Sequence, residues 1–151
     1  MLFDTWGGIL GVDDYINYSL QYMQKIVQAL KLSHPNIPII LFTKNGGKHL
    51  SQIAATGCNG IGIDWMINIK DAKNIVGNKV ALQGNMDPAV LYADPNRIKK
   101  EVKKILDHFG SQPGHVFNLG HGINPDTPTD SVYALIDAVH EYQYQQQPIG
   151  V

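Results

Sequence analysis

Apolar residues recur along the chain in two spacings, one typical of helices and one typical of buried strands. The longest helical pattern predicts a helix over residues 13–31, with a buried stripe formed by Ile16, Leu20, Met23, Val27 and Leu30. A second amphipathic helix is predicted between Asp94-Pro95, a pair that suits a cap and first turn, and Gly110. Both patterns predict helices that cover a core.

Three shorter helices follow from the same spacing. Two are predicted over residues 49–54 and 69–76, and they stop at Gly57 and Gly77, because glycine adopts left-handed backbone conformations without strain. The last helix is predicted to open at a capping box formed by Thr127, Pro128, Thr129 and Asp130. The glutamine-rich tail, residues 143–151, is expected to be frayed.

Short apolar runs between these helices predict strands over residues 1–5, 37–43, 60–64, 79–83 and 117–119. Strands that alternate with helices favour parallel βα units, arranged either as an open doubly wound sheet or as a closed eight-stranded barrel. Polar residues follow the strands, and no glycine-rich phosphate loop does, which favours the barrel. With only about five strands, the chain is predicted to be the C-terminal half of a (β/α)8 barrel of TIM type, an α/β fold.

The stretch from residue 117 to residue 123 is the strongest candidate for chemistry. It is predicted to be a short buried strand that leads into His121, with Gly120 and Gly122 on either side allowing a tight exit. A solvated histidine in a simple turn is the alternative. The repeated placement of polar residues at strand ends favours a functional His121.

Composition narrows the classes of function. The formal net charge is −1, which gives no electrostatic case for a nucleic acid or an anionic membrane as partner. No apolar run is long enough to span a bilayer, and no leader pattern is present, so a cytoplasmic protein is expected. Cys58 is the single cysteine, so neither a disulfide framework nor a cysteine-rich metal site is expected.

Several separate motifs, in order, resemble those of uroporphyrinogen decarboxylase, the haem-pathway enzyme. They are FDTWGG (residues 3–8), LFTK (41–44), GIDW (62–65), ALQGNMDP (81–88) and NLGHG (118–122). The resemblance runs from Met1 to about His140 and covers the family's C-terminal half. The family's amino-terminal half, with its arginine-rich motif and essential aspartate, has no counterpart, so the resemblance implies a fragment that is inactive alone.

The resemblance implies a decarboxylase that uses no cofactor and no metal, and that removes four acetate carboxyl groups from uroporphyrinogen to give coproporphyrinogen. At the matching positions, Thr5 is implied as a hydrogen-bond partner of the substrate, and His121 as a carboxylate partner with a possible share in proton delivery. A homodimer is implied for the whole enzyme.

Other candidates have structural explanations beside functional ones. Lys44 is as well suited to a supporting role as to a substrate contact, and Asp64 is predicted to tie down a loop. Asp87 is predicted to cap the turn after it, and Cys58 to be buried and inert. The histidines other than His121 are expected to be surface or packing residues.

Two other functions remain as alternatives. Cobamide-dependent methyltransferases with a related barrel hold zinc through a histidine and cysteines on late strands, and those stretches contain no cysteine here. The second alternative is a non-catalytic packing or assembly module, which a porphyrin-binding titration separates from a competent half-site.

Overall fold

A computed structural model describes residues 1–143, so the predicted frayed tail lies outside the described residues except for Gln143. The helices and strands alternate in the predicted order. The strands are β1 (Leu2–Asp4), β2 (Ile40–Thr43), β3 (Gly60–Gly62), β4 (Ala81–Met86) and β5 (His115–Leu119). The helices are α1 (Val12–Tyr15), α2 (Gln21–Ser33), α3 (Leu50–Ala55), α4 (Ile69–Val76), α5 (Pro95–Phe109) and α6 (Thr129–His140).

The strand order distinguishes the two predicted architectures. All neighbouring strands are parallel, and the sheet order β1-β2-β3-β4-β5 is the order along the chain. A doubly wound sheet reverses its order at a switch point, and this sheet has no reversal. Because crossover connections of parallel strands have one hand, successive helices cover the same face, as they do in a (β/α)8 barrel. The α/β fold with barrel-type winding is therefore confirmed.

The register gives the sheet two different faces. Leu2, Leu41, Ile61, Leu82 and His115 form one row across the five strands, and the middle three are at most 1% exposed beneath the helices. The adjacent row is Phe3, Phe42, Gly62, Gln83 and Val116. In this second row Phe3 is 70% exposed and Val116 is 49% exposed. We call the face of the sheet that carries this row the open face.

Local signals end and begin the helices as predicted at most positions. The Asp94 side chain accepts hydrogen bonds from the amides of Asn96 and Arg97 at 3.0 and 3.2 Å, which caps α5. Asn68 caps α4 by accepting from the amide of Lys70 at 2.9 Å. Gly77 and Gly110 follow α4 and α5 with positive φ angles of 59° and 84°.

The predicted stripe of the long first helix is wrong at its two ends. Leu20, Met23 and Val27 are buried, whereas Ile16 and Leu30 are 36% and 38% exposed. At the first end, Ile16, the cause is a π-helical turn, Ile16–Leu20, between α1 and α2. Its extra residue per turn shifts the faces of the helix, and a fixed three-and-four spacing does not follow this shift.

Two other local predictions are wrong. β5 is an edge strand of the described sheet, with Val116 and Asn118 exposed, so its two faces are not both covered. The capping box before α6 does not form, because Pro128 is the N-cap residue and no side chain caps the helix. Among residues 1–143, no helix is long and apolar enough to cross a membrane.

Candidate functional site

A cleft of about 450 Å³ lies on the open face at the carboxyl ends of the strands. Its lining includes Phe3, Thr5, Phe42, Gly62, Gln83 and residues 118–123. Thr5 follows β1 and His121 follows β5, so both predicted site residues meet here from opposite edges of the sheet. Such a meeting requires a sheet that curls towards its open face, which is the curvature of a barrel wall.

The His121 ring is held by aromatic packing on one side and is open to solvent on the other. The ring lies edge-on to Phe42, with centroids 6.1 Å apart. The residue is exposed overall, so its ring nitrogens can be reached from the cleft. A ring N–H can donate a hydrogen bond to an anionic ligand there.

The two glycines beside His121 have different roles. A Cβ atom on Gly120 would lie 2.8 Å from the backbone nitrogen of Trp65 and 2.9 Å from the Cα of Asp64. A Cβ atom on Gly122 would meet nothing within 4 Å. Neither glycine has a positive φ angle. The predicted tight exit therefore depends on the close approach of Gly120 to the loop after β3. The prediction that a larger residue would be resisted is wrong for Gly122.

The loop after β3 is tied down by two buried side chains. The Asp64 carboxylate, 3% exposed, accepts hydrogen bonds from the amides of Asn45 and Met66. The Asn85 side-chain amide donates to the carbonyls of Asp64 and Ile67 at 2.9 and 2.7 Å. The prediction that Asp64 ties a loop is confirmed, and sequence analysis missed the matching role of Asn85.

Asp87 and Cys58 also take the roles predicted for them. The Asp87 carboxylate accepts from the amide of Ala89 at 2.9 Å, which caps the 3₁₀ turn Pro88–Tyr92. Cys58 is buried, and burial raises the pKa of its thiol, so the thiol is a poor nucleophile. Among residues 1–143, no group of three or more His, Cys, Asp or Glu side chains is placed to hold a metal ion.

Neither Lys44 nor Arg97 lines this cleft. The Lys44 ammonium lies 6.0 Å from the centroid of the Trp65 ring. Arg97 lines a separate cleft of about 340 Å³, which also includes Asn85 and Asp87, and it pairs with Glu101 at 3.2 Å. Arg97 therefore lies beside residues at the carboxyl end of β4, but outside the cleft of Thr5 and His121.

Two cleft residues, Gln83 and Asn118, were not predicted as site residues. Both lie on the open face, and the Gln83 amide nitrogen is 3.7 Å from the sulfur of Met1. The signal for them is the alternation of each strand, because every second residue of a barrel strand faces the interior. Their amides are neutral donors and acceptors for a polar ligand.

Two other histidines are packing residues, as expected. His49 is 1% exposed and stacks on Tyr15, with ring centroids 4.1 Å apart. His115 donates from Nε2 to the carbonyl of Gly84 at 2.8 Å and stacks on Phe109. Burial lowers the pKa of both imidazoles, so both are held neutral.

Comparison with known proteins gives consistent matches over almost all of the chain. Residues 1–142 match the family model described as uroporphyrinogen decarboxylase (URO-D). A relative of that name from Vesicomyosocius okutanii is 56% identical over 142 residues, and one from Aliivibrio salmonicida is 59% identical over 144 residues. The alignments cover 94% and 93% of this chain, and the chain spans about 41% of the length of each relative.

A solved structure shares the fold. A methyltransferase from Methanosarcina mazei matches with a TM-score of 0.77 and 26% sequence identity. The match covers 92% of this chain and 40% of the methyltransferase chain.

Proposed function

Since the chain belongs to the uroporphyrinogen decarboxylase family, we propose that it forms one wall of the active site of an enzyme that converts uroporphyrinogen to coproporphyrinogen. The observation that carries this proposal is that Thr5 and His121 line the same cleft at the carboxyl ends of the strands. Barrel enzymes place their catalytic groups at that end.

The reaction replaces each acetate side chain by a methyl group and releases carbon dioxide, without a redox step. Protonation of a pyrrole ring carbon creates a cation that accepts the electron pair left by the departing carbon dioxide. The exocyclic carbon then takes up a proton, and the ring carbon returns the one it received. The site must therefore supply a proton source and hydrogen-bond donors for the carboxylates that do not react.

The cleft residues match part of this requirement. The Thr5 hydroxyl is a hydrogen-bond partner for a substrate side chain, and His121 binds a carboxylate through a charge-assisted hydrogen bond. Gln83 and Asn118 add amide groups along the wall. Among the described residues, no arginine or lysine lines this cleft, so we propose that other parts of the enzyme supply the remaining anion-binding groups.

We propose further that the enzyme acts without a cofactor or metal, in the cytoplasm, as a homodimer, and that it binds neither nucleic acid nor membrane. The formal net charge of −1 supports the last point, because neither partner would be attracted electrostatically.

The test uses the full-length enzyme, meaning a polypeptide of the relatives' length that contains this sequence. Coproporphyrinogen is quantified after anaerobic incubation with uroporphyrinogen and oxidation of the product. Multiple turnovers that are lost in His121→Gln and retained in His140→Gln would support the proposal, since His140 is an exposed residue at the end of α6. Full turnover in both variants would exclude a role for His121.

The alternatives have weaker support. The Methanosarcina mazei neighbour is a methyltransferase, but a zinc-thiolate site of the kind predicted for such a relative needs cysteine ligands, and Cys58 is buried away from the cleft. A non-catalytic packing role is separated from catalysis by the same turnover assay.

A further inference from the structure

The turn that carries Thr5 is held by the side chain of the residue before it. One carboxylate oxygen of Asp4, Oδ1, accepts hydrogen bonds from the amides of Trp6 and Gly7 at 3.3 and 2.8 Å. Thr5 lies in the chain between Asp4, which accepts these two bonds, and Trp6 and Gly7, which donate them. The orientation of Thr5 therefore depends on the Asp4 carboxylate.

The second carboxylate oxygen of Asp4 is tied to a different element. Oδ2 accepts a hydrogen bond from the Ser19 hydroxyl, which lies in the π-helical turn Ile16–Leu20. A π-helical turn inside an α-helix changes which side chains face the sheet, and such turns are frequent at functional sites. Through Ser19, the long helix fixes the carboxylate that in turn fixes the Thr5 turn.

The packing around the carboxylate leaves little room for another arrangement. A Cβ atom on Gly7 would lie 1.9 Å from Asp4 Oδ2 and 2.9 Å from the Tyr15 ring. A Cβ atom on Gly8 would lie 2.0 Å from the carbonyl oxygen of Lys44. The glycine pair therefore lets the turn pack directly on Asp4 and on the loop after β2.

We propose that Asp4 is the positioning residue for the Thr5 hydroxyl, acting on substrate binding through Thr5 and not by contact with the substrate. Thr5 lines the cleft, whereas Asp4 does not. None of the ion pairs among the described residues includes Asp4, so its carboxylate is used on the turn and on Ser19. The inference rests on the proposed function, in which Thr5 binds a substrate side chain.

A double-mutant cycle in the full-length enzyme tests the inference. Thr5→Val removes the hydroxyl with little change of shape, and we expect KM for uroporphyrinogen to rise about tenfold, the effect of one lost hydrogen bond to a charged group. Asp4→Ala is expected to raise KM by a similar factor. Because both changes remove the same interaction, Asp4→Ala combined with Thr5→Val is expected to be no worse than Thr5→Val alone.

Two controls separate positioning from a general loss of stability. Asp87→Ala removes an equivalent cap from the turn Pro88–Tyr92, and no residue of that turn lines this cleft. Its effect on KM should therefore be small and additive with that of Thr5→Val. Asp4→Asn keeps an oxygen that accepts from the amides of Trp6 and Gly7, and we expect its KM to be close to that of the parent enzyme, without most of the increase seen in Asp4→Ala.

The outcomes are distinguishable. Additive effects of Asp4→Ala and Thr5→Val would overturn the positioning role while leaving the proposed function intact. An unchanged KM in Thr5→Val would overturn the assignment of Thr5 in the proposed function, and with it this inference. If Asp4→Ala does not fold, Ser19→Ala combined with Thr5→Val completes the same cycle, because Ser19 holds the other carboxylate oxygen.

Discussion

The ring of His121 lies edge-on to the ring of Phe42, with centroids 6.1 Å apart and planes inclined by 62°. Phe42 lies in β2 and His121 follows β5, so two strands, β3 and β4, stand between the elements that carry the two rings. Gly62 pairs with Phe42 in the neighbouring strand, and a Cβ atom on Gly62 would lie 3.0 Å from the Phe42 ring. The absence of a side chain at Gly62 therefore leaves room for the Phe42 ring, which packs against the imidazole at the wall of the cleft.

We predict that His121→Gln lowers kcat of the full-length enzyme by about a hundredfold while its thermal midpoint changes by less than a few degrees. The ring is exposed, so its removal loses little packing. The measurements are steady-state kinetics and a thermal melt. A collapse of the thermal midpoint would show instead that the histidine is structural.

Gly120 and Gly122 form a matched pair. We predict that Gly120→Ala destabilises the protein by about 1–3 kcal/mol, because the new methyl group meets backbone atoms that cannot move away easily. Gly122 is also adjacent to His121 in sequence, but a methyl group there meets no atom within 4 Å. We therefore expect Gly122→Ala to change the free energy of unfolding by less than about 0.5 kcal/mol. Equal thermal midpoints for the two variants would contradict the close approach at Gly120.

Loss of the Asp64 carboxylate should also destabilise the protein. We predict a loss of about 1–3 kcal/mol for Asp64→Ala, because the amides of Asn45 and Met66 lose their acceptor. Asp137→Ala, at an exposed position of α6, is the control and should change stability by less than about 0.5 kcal/mol. Thermal or urea unfolding of the purified variants provides the comparison.

The buried histidines predict a loss of stability in mild acid. Burial lowers the pKa of His49 and His115 in the folded state below the ordinary value of 6.5. The unfolded chain therefore binds protons first as the pH falls. The stabilisation is complete above pH 6.5 and is lost progressively as the pH falls towards the folded-state pKa values.

His49→Phe isolates one of these contributions. Phenylalanine can keep the stacking on Tyr15 but cannot take up a proton, so the decline in thermal midpoint between about pH 6.5 and 5 should become shallower. The exposed His140→Gln variant should retain the decline of the parent protein. An unchanged slope in His49→Phe would refute the assignment of this effect to His49.

A polypeptide of these 151 residues alone is predicted to show no turnover of uroporphyrinogen and to self-associate. In the described residues, β1 and β5 each have one unpaired edge, and the open face exposes Phe3 and Val116. The cleft also lacks cations for the other carboxylates of the substrate. Sedimentation and an anaerobic assay test both points, and a monomer with clear multiple turnover would contradict them.

Sequence predicted the elements that depend on local signals. The span of α4, the cap of α5 at Asp94 and the ends at Gly77 and Gly110 follow from neighbours within a few residues. The grouping of Thr5 with His121 was also accessible, because parallel strands end at one side of the sheet.

Features that depend on contacts distant in sequence were not predictable. The π-helical turn at Ile16–Leu20 has no periodic signature, and the role of Asn85 depends on two carbonyls about twenty residues away in sequence. The exposure of β5 depends on which elements pack beside this edge strand, and the apolar sequence of the strand does not indicate them. In the same way, the contrast between Gly120 and Gly122 reflects the approach of the loop at Asp64 and Trp65.

The two rows of the sheet also bear on how such a protein can change over evolutionary time. Leu82 and Gln83 are adjacent in the chain, yet one packs under the helices and the other lines the cleft. A substitution at Gln83 or Asn118 can alter the ligand without removing a contact from the helix-covered core. Evolution can therefore explore new substrates at one set of positions while it preserves stability at the positions between them.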